Sequence, residues 1–162
     1  MLTFSGSLIA VVLAAQSPPA PVIPESCSVT RPPEKPFVPK TPATNEWPGM
    51  FRIGTDDLWT WIRADGTWGY QTSSKFFWWR EGYLARDENF PELKITARRL
   101  DGPAPVAVSG RTTNAMGEDI GQSMLTSIPI PTSGCWQVTG TYHGHEVTFV
   151  TWVASGAVQK GI

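Results

Sequence analysis

The feature of the sequence that most constrains the fold is a pair of alternating segments on either side of His143 and Gly144. Residues 136–142 and 145–153 both alternate apolar with polar side chains, which is typical of strands with one buried face. With His143 and Gly144 as a two-residue turn, both segments place their apolar residues on the same face. The sequence therefore predicts an antiparallel hairpin that sets Cys135 opposite Trp152.

Similar short runs, rich in β-branched and aromatic residues, fill the chain from Leu58 onward. We predict strands at residues 58–63, 67–72, 75–80, 92–100, 106–108 and 124–130. Asp65 and Gly66 form a strong two-residue hairpin signal, so the first two of these runs are expected to pair. Residues 110–121 are polar and punctuated by glycine, which predicts the longest loop of the body.

The overall pattern indicates one all-β domain. No stretch shows sustained helical periodicity, and eight Trp among 41% hydrophobic residues supply enough apolar material for a packed core. Short strands at near-regular spacing are typical of a sandwich or a barrel. We expect an antiparallel β-sandwich at residues 51–155, followed by a flexible tail at 156–162.

The N-terminal part has a different composition. Ten prolines between residues 18 and 48 exclude a helix and disfavour central strands, so we predict an extended Pro-rich leader at 18–50. Before it, the apolar run 8–15 is typical of a signal peptide, predicted at 1–17, although no Lys or Arg precedes it. That run is too short to span a bilayer. We expect a secreted, periplasmic or cell-envelope protein with no membrane span in its mature chain.

The two cysteines are Cys27 in the leader and Cys135 at the start of the C-terminal hairpin. In an exported chain an even pair indicates a disulfide. A bridge that closes so long a loop adds about 4 to 5 kcal/mol by the chain-entropy model. It would pin the leader to the body, with residues 28–30 as a short edge strand.

Charge limits the classes of partner. The formal net charge is −1 and the basic residues are not clustered. Neutralising phosphates requires clustered Lys and Arg, so we expect no nucleic-acid partner. The same balance offers no electrostatic membrane anchor.

Residues 128–140, with the sequence IPIPTSGCWQVTG, resemble the C-terminal P-x-x-G-C-W-E-V-T-G hairpin of small uncharacterised secreted bacterial proteins. Weaker similarities occur at residues 27–32, 58–60, 75–80 and 95–105. Gln137 stands where those proteins have Glu, which argues against an acid role at this position. The hairpin also resembles the last two strands of immunoglobulin-like domains. The resemblance implies an immunoglobulin-like β-sandwich with a disulfide, and it implies no activity.

Four tryptophans are candidate binding residues: Trp59, Trp61, Trp78 and Trp79. Trp59 and Trp61 share one face of their predicted strand, whereas the adjacent Trp78 and Trp79 point to opposite faces. At least one indole is therefore expected to be exposed or at an interface, where its ring could stack on a sugar. Burial in the core and edge of an ordinary sandwich is the preferred interpretation, because Trp is normally well buried.

The sequence contains no known catalytic motif, and we expect no metal site and no cofactor. An enzyme or inhibitor with an unusual site could use only a few residues: Asp56, Asp57, Glu118, Asp119 and His145. Adjacent carboxylates point to opposite sides of an extended chain, so solvation of loops is the preferred interpretation. His143 and His145 supply two metal ligands, whereas usual sites need three or four.

The function therefore stays open among three hypotheses. The first is a non-enzymatic domain that holds an envelope glycan or protein through its Trp-bearing faces or the loop 110–121. The second is a carbohydrate-binding module with exposed Trp residues. The third is an enzyme or inhibitor with an unusual site. Convergence of the candidate acids and His145 in one pocket would favour the enzyme, and their separation would favour binding.

Overall fold

The computed structural model describes residues 21–40, 46–68 and 75–155. Within these ranges the chain forms strands and no helix, so the all-β prediction is confirmed. The strands are β1 (Met50–Thr55), β2 (Leu58–Arg63), β3 (Lys75–Trp79), β4 (Lys94–Arg99), β5 (Ala107–Val108), β6 (Thr113–Gly117), β7 (Gly121–Ser127), β8 (Gly134–Tyr142) and β9 (His145–Val153). The predicted signal peptide at 1–17 and tail at 156–162 lie outside the described residues, as do residues 18–20 and 41–45 of the predicted leader and residues 69–72 of the predicted strand 67–72. A search of the described part for a helix suited to crossing a membrane finds none.

Two antiparallel sheets form the body. The five-stranded sheet has the order β1-β2-β3-β7-β6, and the four-stranded sheet has the order β5-β4-β8-β9. Side chains from the inner faces of both sheets form one buried cluster, which includes Phe76, Trp78, Met124, Ile95, Val138 and Phe149. This arrangement is a β-sandwich, as predicted. The immunoglobulin-like assignment stays a prediction at this point.

The C-terminal hairpin has the register that the sequence predicts. Three of the predicted pairs are Cys135 with Trp152, Val138 with Phe149, and Thr139 with Thr148. The turn residues His143 and Gly144 both have positive φ, 48° and 84°, as the tightest hairpin turns require. The polar face of this hairpin is held in part by a hydrogen bond between the hydroxyls of Thr139 and Thr148.

The predicted hairpin across Asp65 and Gly66 is wrong. β2 pairs with β1 and β3, and the chain leaves the five-stranded sheet after Arg63. Thr67 forms a parallel bridge to Trp152, and the Trp68 amide donates to the Trp152 carbonyl at 2.7 Å. The Asp65 carboxylate accepts hydrogen bonds from the amide and hydroxyl of Thr67, so the turn is closed locally and leads to β9.

Two strands were not predicted. β1 pairs with β2 across the turn at Asp56 and Asp57, and β6 lies inside the predicted loop 110–121. The loop prediction is therefore wrong for residues 113–117 and 121, whereas residues 110–112 and 118–120 lie outside strands as predicted. β6 lacks an alternating pattern, and its Asn114 side-chain amide donates to the carbonyls of Ala85 (3.0 Å) and Glu88 (2.8 Å). Tertiary contacts, and not local preference, hold β6 in place.

The predicted disulfide is confirmed. Cys27 and Cys135 are 108 residues apart in sequence and their Cα atoms are 5.6 Å apart. Next to the bridge, the Thr30 amide donates to the Val150 carbonyl and the Val150 amide donates to the Thr30 hydroxyl, both at 2.9 Å. Residues 28–30 therefore lie beside β9 as expected, although they do not form a regular strand.

Gly140 allows the two sheets to approach around Trp78. A Cβ atom at this position would lie 2.3 Å from Cη2 of the Trp78 indole, which is fully buried. Such a distance is far inside van der Waals contact, and a close-packed core has no free space for the ring to move into.

We expect Gly140→Ala to lower the free energy of unfolding by about 1 to 3 kcal/mol, the usual cost of overpacking a core. Urea denaturation followed by Trp fluorescence measures the change. Gly110→Ala is the matched control, because a Cβ there meets only the Ser127 hydroxyl at 3.7 Å. Equal stability of the two variants would contradict the proposed role of Gly140.

The Asp65 turn generates a pH dependence. Hydrogen bonds from the Arg63 guanidinium, and then those from Thr67, lower the pKa of Asp65 well below its ordinary value, although partial burial opposes them. The folded chain therefore binds the Asp65 proton less tightly than the unfolded chain does. The stability that Asp65 contributes is present at neutral pH and is lost as the pH falls through about 4 toward the folded value.

We expect Asp65→Asn to destabilise the protein at pH 7 by up to about 1 kcal/mol, because the carboxylate is half exposed. The difference from the parent chain should shrink steadily below about pH 4. Urea midpoints at several pH values test this expectation. Glu118→Gln, at an exposed turn position, is the control and should behave like the parent chain at every pH. A pH-independent difference for Asp65→Asn would contradict the explanation.

Candidate functional site

The four candidate tryptophans lie on both faces of the five-stranded sheet. Trp78 points into the core between the sheets, whereas Trp59, Trp61 and Trp79 form a separate cluster on the outer face. The adjacent Trp78 and Trp79 thus point to opposite sides, as predicted. All four side chains are at most 2% exposed, in keeping with the preferred interpretation of burial, and none of them offers an exposed ring for stacking.

The outer cluster is covered by the N-terminal residues 21–40 and 46–49, which we call the leader segment. Its Trp47 ring stacks on Trp61 with centroids 5.7 Å apart, and its Phe37 ring lies 6.3 Å from Trp59. Within the cluster, Trp59 and Trp79 are cross-strand neighbours whose rings stack at 4.5 Å. A flat stacking platform of these rings is therefore closed by the chain itself.

Arg52 of β1 adds a cation to this aromatic assembly. Its guanidinium carbon lies 4.3 Å from the centroid of the Trp61 ring, a cation–π distance. The Arg52 guanidinium also forms an ion pair with the Glu46 carboxylate at 3.1 Å. The arginine is buried, with 7% of its surface exposed. The pair ties the last residues before β1 to the outer face of the sheet.

A cleft of about 350 Å³ opens at the border of the aromatic cluster, where β3 ends and β7 begins. We call it the end cleft. Its lining residues come from β2, β3, β7 and the segment after β3: Trp59, Trp79, Arg80, Glu81, Gly82, Tyr83, Leu84, Gly121 and Gln122. The Trp79 indole N–H donates to the Ile120 carbonyl at 2.8 Å, which fixes the aromatic floor. The cleft thus combines apolar rings with three polar side chains, those of Arg80, Glu81 and Gln122.

The segment that walls the end cleft is held by both sheets. The Gln122 side-chain oxygen accepts from the Ala85 amide at 2.8 Å, and the Tyr83 hydroxyl donates to the Asn114 side chain. From the other sheet, the Tyr142 hydroxyl donates to the Glu88 carboxylate. Arg80 and Glu81 directly precede this segment: the Glu81 amide donates to the Asp56 carbonyl at 2.7 Å, and the Arg80 guanidinium carbon lies 5.9 Å from the centroid of the Tyr142 ring. Gly82, with φ of 66°, turns the chain directly after them.

Buried tyrosines mark this junction. Burial raises the pKa of Tyr142 to about 12, and its hydrogen bond to the Glu88 carboxylate contributes in the same direction. Burial also raises the pKa of Tyr83, and the negative charge of Glu88 adds to that effect. Both phenols therefore act as neutral hydrogen-bond donors at physiological pH.

The five candidates for catalysis do not meet in the end cleft. Asp56 pairs with Lys40 at 2.9 Å, and the hydrogen bond from Lys40 lowers the pKa of Asp56. Asp57 lies 3.5 Å from His145, and both side chains are largely exposed. Glu118 and Asp119 are exposed in the turn between β6 and β7. None of these residues lines the end cleft.

The two histidines also separate. His143 faces Glu88 at 3.8 Å, whereas His145 faces Asp57. Among the residues that the structure describes, no group of three or more His, Cys, Asp or Glu side chains is placed to hold a metal ion. The prediction that the protein uses no cofactor is not tested by these observations.

Sequence reasoning missed Arg80, Glu81 and Gln122. Arg80 and Glu81 directly follow an aromatic strand, and a glycine follows them, which is a weak signal for a strand end with polar side chains. Gln122 lies more than 40 residues further along the chain, and only the pairing of β3 with β7 brings it to the cleft.

The raised pKa of Tyr142 predicts how the stability of the protein changes at alkaline pH. Its folded pKa lies above the ordinary value of about 10, so its contribution to stability is present below pH 10 and is lost as the pH rises toward 12. We expect the free energy of unfolding to fall less steeply over this range in Tyr142→Phe than in the parent chain. Urea denaturation between about pH 9 and 11.5 measures both slopes. Identical slopes would contradict the assignment.

Comparison with known proteins gives no match: no protein-family model fits the chain, and no curated protein or solved structure is significantly similar to it. The relationship to the secreted bacterial proteins with the P-x-x-G-C-W-E-V-T-G hairpin stays a prediction from the sequence.

Proposed function

We propose that this protein is a non-enzymatic binding domain of an extracytoplasmic compartment, and that it binds a glycan in the end cleft. The observation that carries the proposal is the composition of that cleft. It places planar charged and amide groups, Arg80, Glu81 and Gln122, around an aromatic floor. Sites for small ligands typically combine an apolar lining with a few convergent polar groups in this way.

A sugar unit matches this chemistry. Its ring has apolar C–H faces, which suit contact with Trp and Tyr, and its hydroxyls both donate and accept hydrogen bonds. Guanidinium and amide groups offer paired donors, and carboxylate and amide oxygens offer acceptors to such hydroxyls. The floor offers little accessible ring surface, because Trp59 and Trp79 are only 2% and 1% exposed. We therefore place the recognition in the polar rim more than in ring stacking.

The compartment is inferred from the disulfide. Disulfides persist in oxidising environments such as the periplasm and the cell exterior, and the described residues contain no free cysteine. The apolar run at 8–15 supports the same inference from the sequence. Both observations favour an exported protein over an intracellular one.

The non-enzymatic part of the proposal follows from where the candidate acids lie. Asp56 and Asp57 are each engaged with a basic side chain at the surface, and Glu118 and Asp119 lie away from the end cleft. A hydrolytic site needs an acid or base within hydrogen-bond reach of the substrate. Glu81 is the one carboxylate at the rim of this cleft, and it lacks a second carboxylate there.

The strand order supports the proposed immunoglobulin-like assignment. In such domains, strands A-B-E-D form one sheet and strands C, F and G form the other, with C′ beside C in larger variants. With β2 taken as A, the order β2-β3-β7-β6 corresponds to A-B-E-D, and β5-β4-β8-β9 corresponds to C′-C-F-G. β1 is then an additional edge strand. The binding loops of immunoglobulin-like domains also cluster at the ends of the sandwich.

Isothermal titration of the intact protein with a panel of glycans tests the proposal. Suitable probes are peptidoglycan fragments, chitin and cellulose oligomers, and uronic acid oligomers. We expect one class to bind, and Arg80→Ala or Gln122→Ala to weaken it about tenfold, the loss of one good hydrogen-bonded group. Arg98→Ala, on the outer face of the other sheet, is the control and should bind normally. Absence of binding by every class, or binding that is equally strong in all variants, would refute the proposal.

A further inference from the structure

β1 lies at the edge of the five-stranded sheet, with β2 as its one strand neighbour in the described part of the chain. In an edge strand, alternate backbone N–H and C=O groups point away from the sheet and can pair with another extended chain. Most proteins protect such edges by charge, by proline or by a covering segment. Here the leader segment runs past this edge.

Two clefts separate β1 from the leader segment. One, of about 290 Å³, is bordered by four consecutive residues from Phe51 to Gly54, and the other, of about 310 Å³, by Met50, Phe51 and Arg52. Successive strand residues point to opposite faces of a sheet. Cavities bordered by several of them in a row therefore lie along the edge of the strand, and the second one also reaches Trp61 on the outer face.

The opposite wall of both clefts consists of leader residues. They are Thr30, Arg31, Pro33 and Lys35 in the first cleft, and Pro36, Phe37, Val38 and Glu46 in the second. Phe37 borders both clefts, so together they form one slot interrupted by its ring. Prolines lack an N–H group and cannot complete a ladder, which explains why this wall does not pair with β1 as a strand.

The wall is anchored at both ends. On one side the Cys27–Cys135 disulfide and the hydrogen bonds of Thr30 fix it to β8 and β9. On the other side Trp47 is seated on Trp61. A second copy of the domain could not bring its own sheet edge against β1 past this wall.

The charge of the slot indicates what kind of chain fits. The first cleft is bordered by three cationic side chains, Arg31, Lys35 and Arg52, and by no acidic one, while Phe37, Phe51 and Ile53 make its apolar part. Glu46 is the one acidic residue that borders the second cleft, and it already pairs with Arg52. The exposed Arg31 and Lys35 are therefore the cations at the mouth of the first cleft. Alternate side chains of an added strand would meet the cations and the apolar residues in turn.

We propose that this slot binds an extended peptide in which acidic and apolar residues alternate, by addition of a strand to β1. Strand addition obtains its affinity from main-chain hydrogen bonds and its specificity from alternate side chains. The site is separate from the end cleft and does not depend on glycan binding there.

Three labelled peptides of about seven residues test the proposal, a length that exceeds the five residues bordering the slot. The first alternates Glu with Val, the second replaces each Glu by Lys, and the third is the acidic peptide with alternate backbone nitrogens methylated. By fluorescence anisotropy we expect the acidic peptide to bind and to weaken at high salt. The Lys peptide and the methylated peptide should each bind at least about tenfold more weakly.

Variants locate the site on the intact protein. Lys35→Glu should weaken the acidic peptide about tenfold, whereas Lys94→Glu, an exposed lysine on the four-stranded sheet, should not. Hydrogen exchange should show that the peptide protects backbone amides of β1. Arg80→Ala should leave peptide binding unchanged, which separates this site from the glycan site.

Three results would overturn the proposal. One is the absence of binding by the acidic peptide at concentrations up to about 1 mM. Another is equal binding of the methylated and unmethylated peptides, since attraction between charges alone would explain that. The third is equal weakening by Lys35→Glu and Lys94→Glu, which would place the peptide on the general surface and not in the slot.

Discussion

The structure depends on the need to cover an aromatic sheet face. Three tryptophans on the outer face of the five-stranded sheet would each expose a large ring to water if the sheet had no cover. The leader segment provides that cover with Phe37 and Trp47, which belong to a part of the chain that forms no sheet of its own. A proline-rich chain suits this position. Proline has no backbone N–H to donate, and a segment that joins no sheet does not need that N–H for strand pairing. The end cleft and the β1 slot lie at two borders of the covered area, so both derive from it.

The parts of the fold that the sequence predicts are those in which neighbouring residues carry the information. β8 and β9 alternate over nine residues each and are joined by a turn that requires positive φ, so their register followed from the sequence. β4 was predicted for the same reason, with Ile95 and Ala97 buried, Lys94 and Arg98 exposed, and Thr96 half-buried. The disulfide followed from there being two cysteines in a chain for which the sequence predicts an export signal.

The remaining parts could not be predicted, because distant residues decide them. The turn at Asp65 and Gly66 was predicted correctly, but the pairing of the residues after it was not. The turn packs near Val29 of the leader segment, and Thr67 bridges to β9 and not to β2. β6 pairs with β7 without an alternating pattern of its own, and the side-chain hydrogen bonds of Asn114 tie it to the distant Ala85 and Glu88. Likewise, the polar rim of the end cleft combines Arg80 and Glu81 with Gln122, which meet only through pairing of β3 with β7. Burial of the three outer tryptophans depends on Trp47, and the sequence around Trp47 has no strand or helix pattern that predicts its position.

The single bridge between Cys27 and Cys135 has a consequence for how the protein matures. Two cysteines allow one intramolecular connectivity, so an oxidant suffices and no exchange of mispaired bonds within a chain is needed. During synthesis, however, Cys27 emerges 108 residues before its partner and carries a reactive thiol throughout that interval. The vulnerable species is therefore the unfinished chain, whose early thiol can be captured by another chain before β8 exists.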